Sequence, residues 1–230
     1  MQTVTITERF LRYNHECFKN FVIMKRIHLS VMACFLCLCS YCQIFDFGVT
    51  GGLTVSNPKD AGSHVGYNIG VKGELVLGEG YNDFFFSPEL LLVNKGWKEL
   101  VYVAEDDSKT LDWNWNLNYL EFPLLVGMRL YKDRKTQLIW EAGPYLAVGL
   151  WGDNKFNDDP GLGTSRIFSD KVCERFDCGV KAYAGLEWGR LRCGVNFSYG
   201  FMDTMKDQYD VLDKRKMLTY GLQLTYMITK

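Results

Sequence analysis

Past residue 43 the chain has one histidine, His64, with Ser63 beside it and Asp60 four residues upstream. A hydroxyl, an imidazole and a carboxylate are the parts of a rim-site hydrolase or acyltransferase, which needs a nucleophile, a base and a group to orient the base. No second site element accompanies the trio, and a lone histidine at a loop edge is ordinarily solvated surface. Two acidic stretches, "AEDDSK" and "GDNKFNDDPGLG", carry carboxylates suited to Ca2+ but lack the spacing of a D-x-D-x-D-G loop. "PGLGTS" has glycines without the lysine and helix of a phosphate loop. Five of the eight cysteines precede residue 43. Cys173, Cys178 and Cys193 remain, an odd set with no C-x-x-C pair, which makes neither a zinc site nor a disulfide framework; a Cys173–Cys178 bridge stays open. None of these patterns asks for a cofactor or a metal.

A larger set is purely ionic: Lys72, Glu74, Glu89, Glu121, Arg129, Glu141, Lys181, Glu187 and Arg192. Each lies on a segment where apolar residues recur at every second position, and each falls on the opposite side. In the last such segment Leu218, Tyr220, Leu222, Leu224, Tyr226 and Ile228 take one face, and Thr219, Gly221, Gln223 and Thr225 take the other. A period of two means a β-strand with one apolar face. The pattern predicts eight strands, near 45–55, 67–77, 84–93, 117–131, 138–150, 176–188, 191–201 and 218–228. The connections between them alternate longer and short: "SNPKDAGSH", "GEGYN", 95–116, "KDRK", 152–175, Gly189-Arg190, then "MDTMKDQYDVLDKRK". An up-and-down barrel puts every second connection at one end, and transmembrane barrels have short periplasmic turns and longer outer loops.

A lipocalin-like barrel with its apolar face inward would alternate as well. Against it, the polar face is rich in Gly, Thr, Ser and Ala and thin in Lys, which suits a narrow interior better than a wet surface. The apolar face places Trp140, Trp188 and Tyr226 near one set of strand ends and Tyr67, Trp151 and Phe201 near the other, like interfacial girdles. The expected fold is therefore all-β, an eight-stranded antiparallel up-and-down transmembrane β-barrel whose apolar face meets outer-membrane lipid. The inward charges must then pair with one another, since a lone buried charge is costly. They are expected to close the lumen, with a narrow ion path as the alternative. A net charge of −1 gives no electrostatic case for nucleic acid. Trp97, Trp113 and Trp115, assigned to an outer loop, are the candidate anchors for an envelope protein or surface glycan.

The segment "MKRIHLSVMACFLCLCSYCQ" has two basic residues, a short apolar run and a polar end, the pattern of a secretory signal over 24–42. Residues 1–23 lack that pattern and read as the product of an upstream start codon, leaving 43–230 for the barrel. No apolar run of about 18 residues follows residue 43, so no helix there is expected to span a membrane.

"PELLLVNKG", "NYLEFPLLVGMRL", "AGPYLAVGL" and "FSYGF" resemble the PorT-like outer-membrane β-barrel family of Bacteroidota, over essentially all of 43–230. That resemblance implies an outer-membrane barrel without a cofactor. Through the family's name-giving member, it also implies a possible accessory role in a protein secretion apparatus. The chain departs from the wider outer-membrane pattern in ending "YMITK" rather than on an aromatic residue.

Overall fold

A computed structural model describes residues 45–58, 61–78, 83–102, 110–131, 135–156, 167–169, 172–205 and 216–229. Residues 1–44, which include the signal segment expected over 24–42, lie outside this set, as does Asp60. Every described element is a strand: β1 (Phe45–Ser56), β2 (His64–Val76), β3 (Asp83–Tyr102), β4 (Thr110–Leu130), β5 (Thr136–Phe156), β6 (Phe176–Trp188), β7 (Leu191–Asp203) and β8 (Lys216–Met227). Each pairs antiparallel with its sequence neighbours, and β1 pairs with β8, so the sheet closes into a barrel with no crossover.

Burial alternates with a period of two along the strands, except where both faces are covered, as over Val93–Trp97 of β3 and Leu117–Tyr119 of β4. The outward positions are apolar and open: Leu53, Val65, Ile69, Val126 and Leu222 are each more than half exposed. A water-soluble protein rarely bares a continuous apolar patch beyond a few hundred Å². A wall of this kind running round a whole barrel fits hydrocarbon, and closure leaves no unpaired strand edge within it. The girdle residues Tyr67, Trp140, Trp151, Trp188, Phe201 and Tyr226 are all exposed on this face.

Inside, glycine makes room. Gly127 faces the lumen, where a Cβ would run into the Phe85 ring and the Glu141 side chain. At the turn end, Gly189 opens the two-residue β6–β7 hairpin with a φ of 57°, a conformation costly for any side chain.

One expectation requires correction. Residues 95–116 are not a long loop, because β3 continues to Tyr102 and β4 begins at Thr110. Strands β3, β4 and β5 have 20, 21 and 21 residues, against 12 or 13 in the other five. The surplus projects beyond the rim as a three-stranded sheet, about 25 Å at 3.4 Å per residue. Trp97, Trp113 and Trp115 belong to this sheet and not to a loop.

Candidate functional site: a charged lumen beneath an apolar roof

Strand parity brings all nine inward charges into one column of space, and ion pairs link them from end to end. Near the turn end, Arg129 reaches Glu74, Glu187 (3.2 Å) and Asp83 (3.5 Å). Arg192 shares two of those partners, pairing with Glu187 and with Glu74 at 2.5 Å, and also approaches Glu141 at 3.7 Å. Both guanidiniums lie over the Phe85 ring, their centres 5.3 and 5.8 Å from its centroid. In mid-lumen Lys72 holds Glu141 (2.5 Å) and Glu89 (2.8 Å). Lys181 then bridges Glu89 to Glu121, at 3.3 Å to each.

Three charges join the lattice that sequence reasoning had left out. Lys95 pairs with Glu121 (3.1 Å) and Asp177 (3.6 Å), while Asp83 sits beside Arg129. Tyr145 donates its hydroxyl to Asp177 at 2.8 Å. Lys95 has the parity of Glu89 on the same strand, so extending β3 by two residues would have found it. Asp177 has the parity of Lys181 and Glu187 on β6.

The side chains of Lys72, Lys95, Glu74, Glu89, Glu141 and Arg192 are at most 1% accessible. A water-wide path through the lumen would expose them. Eight strands enclose a space just wide enough for side chains, and here ions fill it. Buried ion pairs repay their desolvation only when well partnered, and each cation in this lattice meets at least two carboxylates.

Above the ions lies an apolar roof. Trp97 and Trp115 are fully buried and stack with centroids 5.0 Å apart; Trp113, half-buried, tilts against Trp115 at 4.6 Å. Leu117, Tyr119, Ile167, Phe168, Cys173, Met205 and Met217 complete the cluster. Ile167, Phe168 and Cys173 come from the β5–β6 connection, so described parts of that loop fold inward over the mouth. Burial pushes the Cys173 thiol up to about 12, which keeps it protonated at neutral pH. Cys173, Cys178 and Cys193 are all free thiols.

His64 opens β2 and its Nε2 lies 3.0 Å from Asn94 Oδ1. Ser63 is exposed. Groups of three or more potential metal ligands are absent among the described residues.

A family model described as outer membrane protein beta-barrel domain matches residues 42–206. No curated protein matches the chain. Among solved structures, Ail, the attachment invasion locus protein of Yersinia pestis, aligns at 12% identity and a TM-score of 0.39, over 80% of this chain and 97% of its own. Neisserial surface protein A aligns at 7% and 0.40, over 80% and 97%. The outer membrane protein OprG of Pseudomonas aeruginosa aligns at 12% and 0.43, over 80% and 96%. Likeness of that degree says nothing about what this chain binds.

Proposed function

The chain belongs to the family of outer membrane protein β-barrel domains, and from that premise we propose that it is a non-enzymatic envelope protein with a sealed lumen, acting through the sheet that projects from its loop end. The observation that carries this reading is the filled interior. With ions packed below and tryptophans above, what remains available to other molecules among the described residues is the outer wall and the projecting β3–β5 sheet. Its loop end faces the outside, as expected for a barrel whose short turns are periplasmic. The leader over 24–42 would direct the chain across the inner membrane.

Purified and refolded into a planar bilayer, the barrel should show no steady conductance at 100 mV; a stable open channel would overturn the sealed-lumen reading. A photo-crosslinking residue in place of Trp113 should give a discrete adduct on intact cells, and one in place of lipid-facing Val126 should give none. Deleting 103–109, the β3–β4 connection, should leave a barrel whose gel mobility still shifts on boiling but remove the adduct. Adducts that are equally diffuse at both positions would count against a partner at the sheet.

The resemblance of "NYLEFPLL" and "GPYLA" to PorT-like barrels favours a second reading, in which the partner is a subunit of a protein secretion apparatus. Under it the adduct would join the barrel to another envelope protein rather than to a surface glycan. A rim hydrolase is the weaker alternative, since the His64 ring is engaged by the Asn94 amide; any lipid- or peptide-cleaving activity lost in His64→Ala would revive it.

A further inference from the structure

Pro88, Pro123 and Pro144 sit one each on β3, β4 and β5, the three strands that project beyond the rim; no other described strand contains proline. Proline has no N–H to give a ladder and is ordinarily kept to sheet edges. A closed barrel has no edge, so each ring breaks the wall. Between β2 and β3 the pairing stops at Lys72–Glu89 and resumes at Leu75–Phe86, skipping Gly73 and Glu74 opposite Pro88 and Ser87. Between β3 and β4 it skips Glu89 and Leu90, opposite Pro123 and Phe122. Between β4 and β5 it skips Leu124 and Leu125, opposite Pro144 and Gly143. The ladders β1–β2, β1–β8, β5–β6 and β6–β7 run without a gap, and β7–β8 is interrupted only near the loop end, after Tyr199.

The three breaks line up. Pro88 pairs with Leu124, the neighbour of Pro123, and Pro123 pairs with Tyr145, the neighbour of Pro144. The rings therefore share two adjoining rows, about 3.4 Å apart along the strands, and form one line across the lipid-facing wall. Ser87 Oγ donates to the Gly73 carbonyl at 3.0 Å, a side chain standing in where Pro88 has no N–H to offer. Inside, Lys72 of β2 grips Glu89 of β3 and Glu141 of β5, while Lys181 of β6 grips Glu89 and Glu121 of β4. These ties link the strands on both sides of every gap through flexible stems, which tolerate a change of angle that a ladder does not. At the end of the line a groove of about 410 Å³ opens on the outer wall beside Pro144, Val180, Ala182 and Phe197, so a bend there meets no packed side chain.

We propose that this line is a hinge, on which the loop-end part of β3–β5 and the projecting sheet tilt against the turn-end part. Sparse backbone bonding is what makes one band of a sheet yield before the rest. The unbroken ladders keep the ring closed, and the lysine ties keep the lumen filled while the angle changes. Pairing of Asn68–Lys72 with β3 and of Tyr145–Val148 with β6 resumes directly on the loop side, which holds the motion to a lean and prevents strand separation. The sheet can then meet a surface at more than one angle from a barrel fixed in the membrane. The hinge belongs to the wall and needs no partner at the sheet.

Distances between paired spin labels on the barrel in lipid nanodiscs test it. One label replaces Lys98 on the projecting sheet and the other Arg190 in the β6–β7 turn, both exposed positions, with Cys173, Cys178 and Cys193 changed to alanine. A second pair, at Phe201 and Arg190, spans β7 alone and serves as the reference. The Lys98 pair should give a distribution about twice as wide as the reference. Pro88→Val, Pro123→Val and Pro144→Val together should bring it down to the reference width. Amide exchange over 86–92, 120–126 and 141–147 should slow about fivefold in that variant, the worth of one restored backbone bond, with β7 and β8 unchanged. Equal widths for the two pairs in the wild type, or a wide distribution that survives removal of the prolines, would overturn the hinge. If the triple variant does not close into a barrel that shifts on boiling, Pro144→Val decides alone, since its ring is exposed on the outer wall. It should narrow the distribution part of the way, and no narrowing would overturn the proposal. Deletion of 103–109 should leave the width unchanged, so the hinge and the partner of the sheet succeed or fail separately.

Discussion

Replacing Arg192 by leucine should destabilise the folded barrel by about 3–5 kcal/mol, the usual cost of stranding buried carboxylates. Arg192 projects from β7 and is met by Glu74 of β2, Glu141 of β5 and Glu187 of β6. A single guanidinium therefore ties together walls on different sides of the barrel. Its loss takes one of two arginines from Glu187 and one of two from Glu74. Leucine fills the volume but neutralises nothing. Denaturant titration of the barrel in detergent, followed by the boiling-dependent mobility shift, measures the effect. Lys155→Ala provides the contrast: its ion pair is exposed, and the change should leave the denaturation midpoint where it is in the wild type.

The double variant Arg192→Leu, Glu74→Leu discriminates further. If stranded charge is what hurts, removing Glu74 as well should cost less than the two single changes added together. Arg129 would keep Glu187 and Asp83 as partners. Additive losses would mean that the two residues act separately. A single variant within 1 kcal/mol of the wild type would show that the lattice contributes little beyond filling space.

How much of this was legible in the sequence depended on where the bilayer lies. Inside it, the outward face is the apolar one, and alternation such as Leu120, Phe122, Leu124 against Glu121 and Arg129 reveals both strand and orientation. Above the rim the phase inverts. There the inward face carries Trp97, Trp115 and Leu117, and the outward one Lys98, Asn114 and Asn116. A reading keyed to apolar-outward positions loses the strand at that crossover, which is why 95–116 looked like a loop. Lys95 disappeared from the charge lattice for the same reason. The pairing of Arg192 with Glu74, 118 residues apart, follows only from closure of the ring. The inward packing of Ile167 and Phe168 has no periodic signal, because they belong to a connection and not to a strand ladder.

That inversion makes Trp97 the position where packing and partner contact can be told apart. Trp97→Ala removes a fully buried side chain stacked on Trp115, and truncations of this kind cost about 3–5 kcal/mol. The loss should stay largely local: Tyr119 and Tyr145 join the roof to Lys95 and Asp177, but the ion pairs below them hold one another. Amide exchange is expected to rise along β3 and β4 above Asn94 and Asn118, and a protease should cut the β5–β6 connection once Ile167 and Phe168 lose their seat. The barrel below, still braced by Lys72, Lys181 and the two arginines, should keep its heat-shifted mobility. Trp113→Ala should do less, since that ring is only half-buried. Unchanged exchange and proteolysis in Trp97→Ala would remove the roof from the account. If the crosslinked partner were lost all the same, Trp97 would act by contact, and its burial would have to open when the partner arrives.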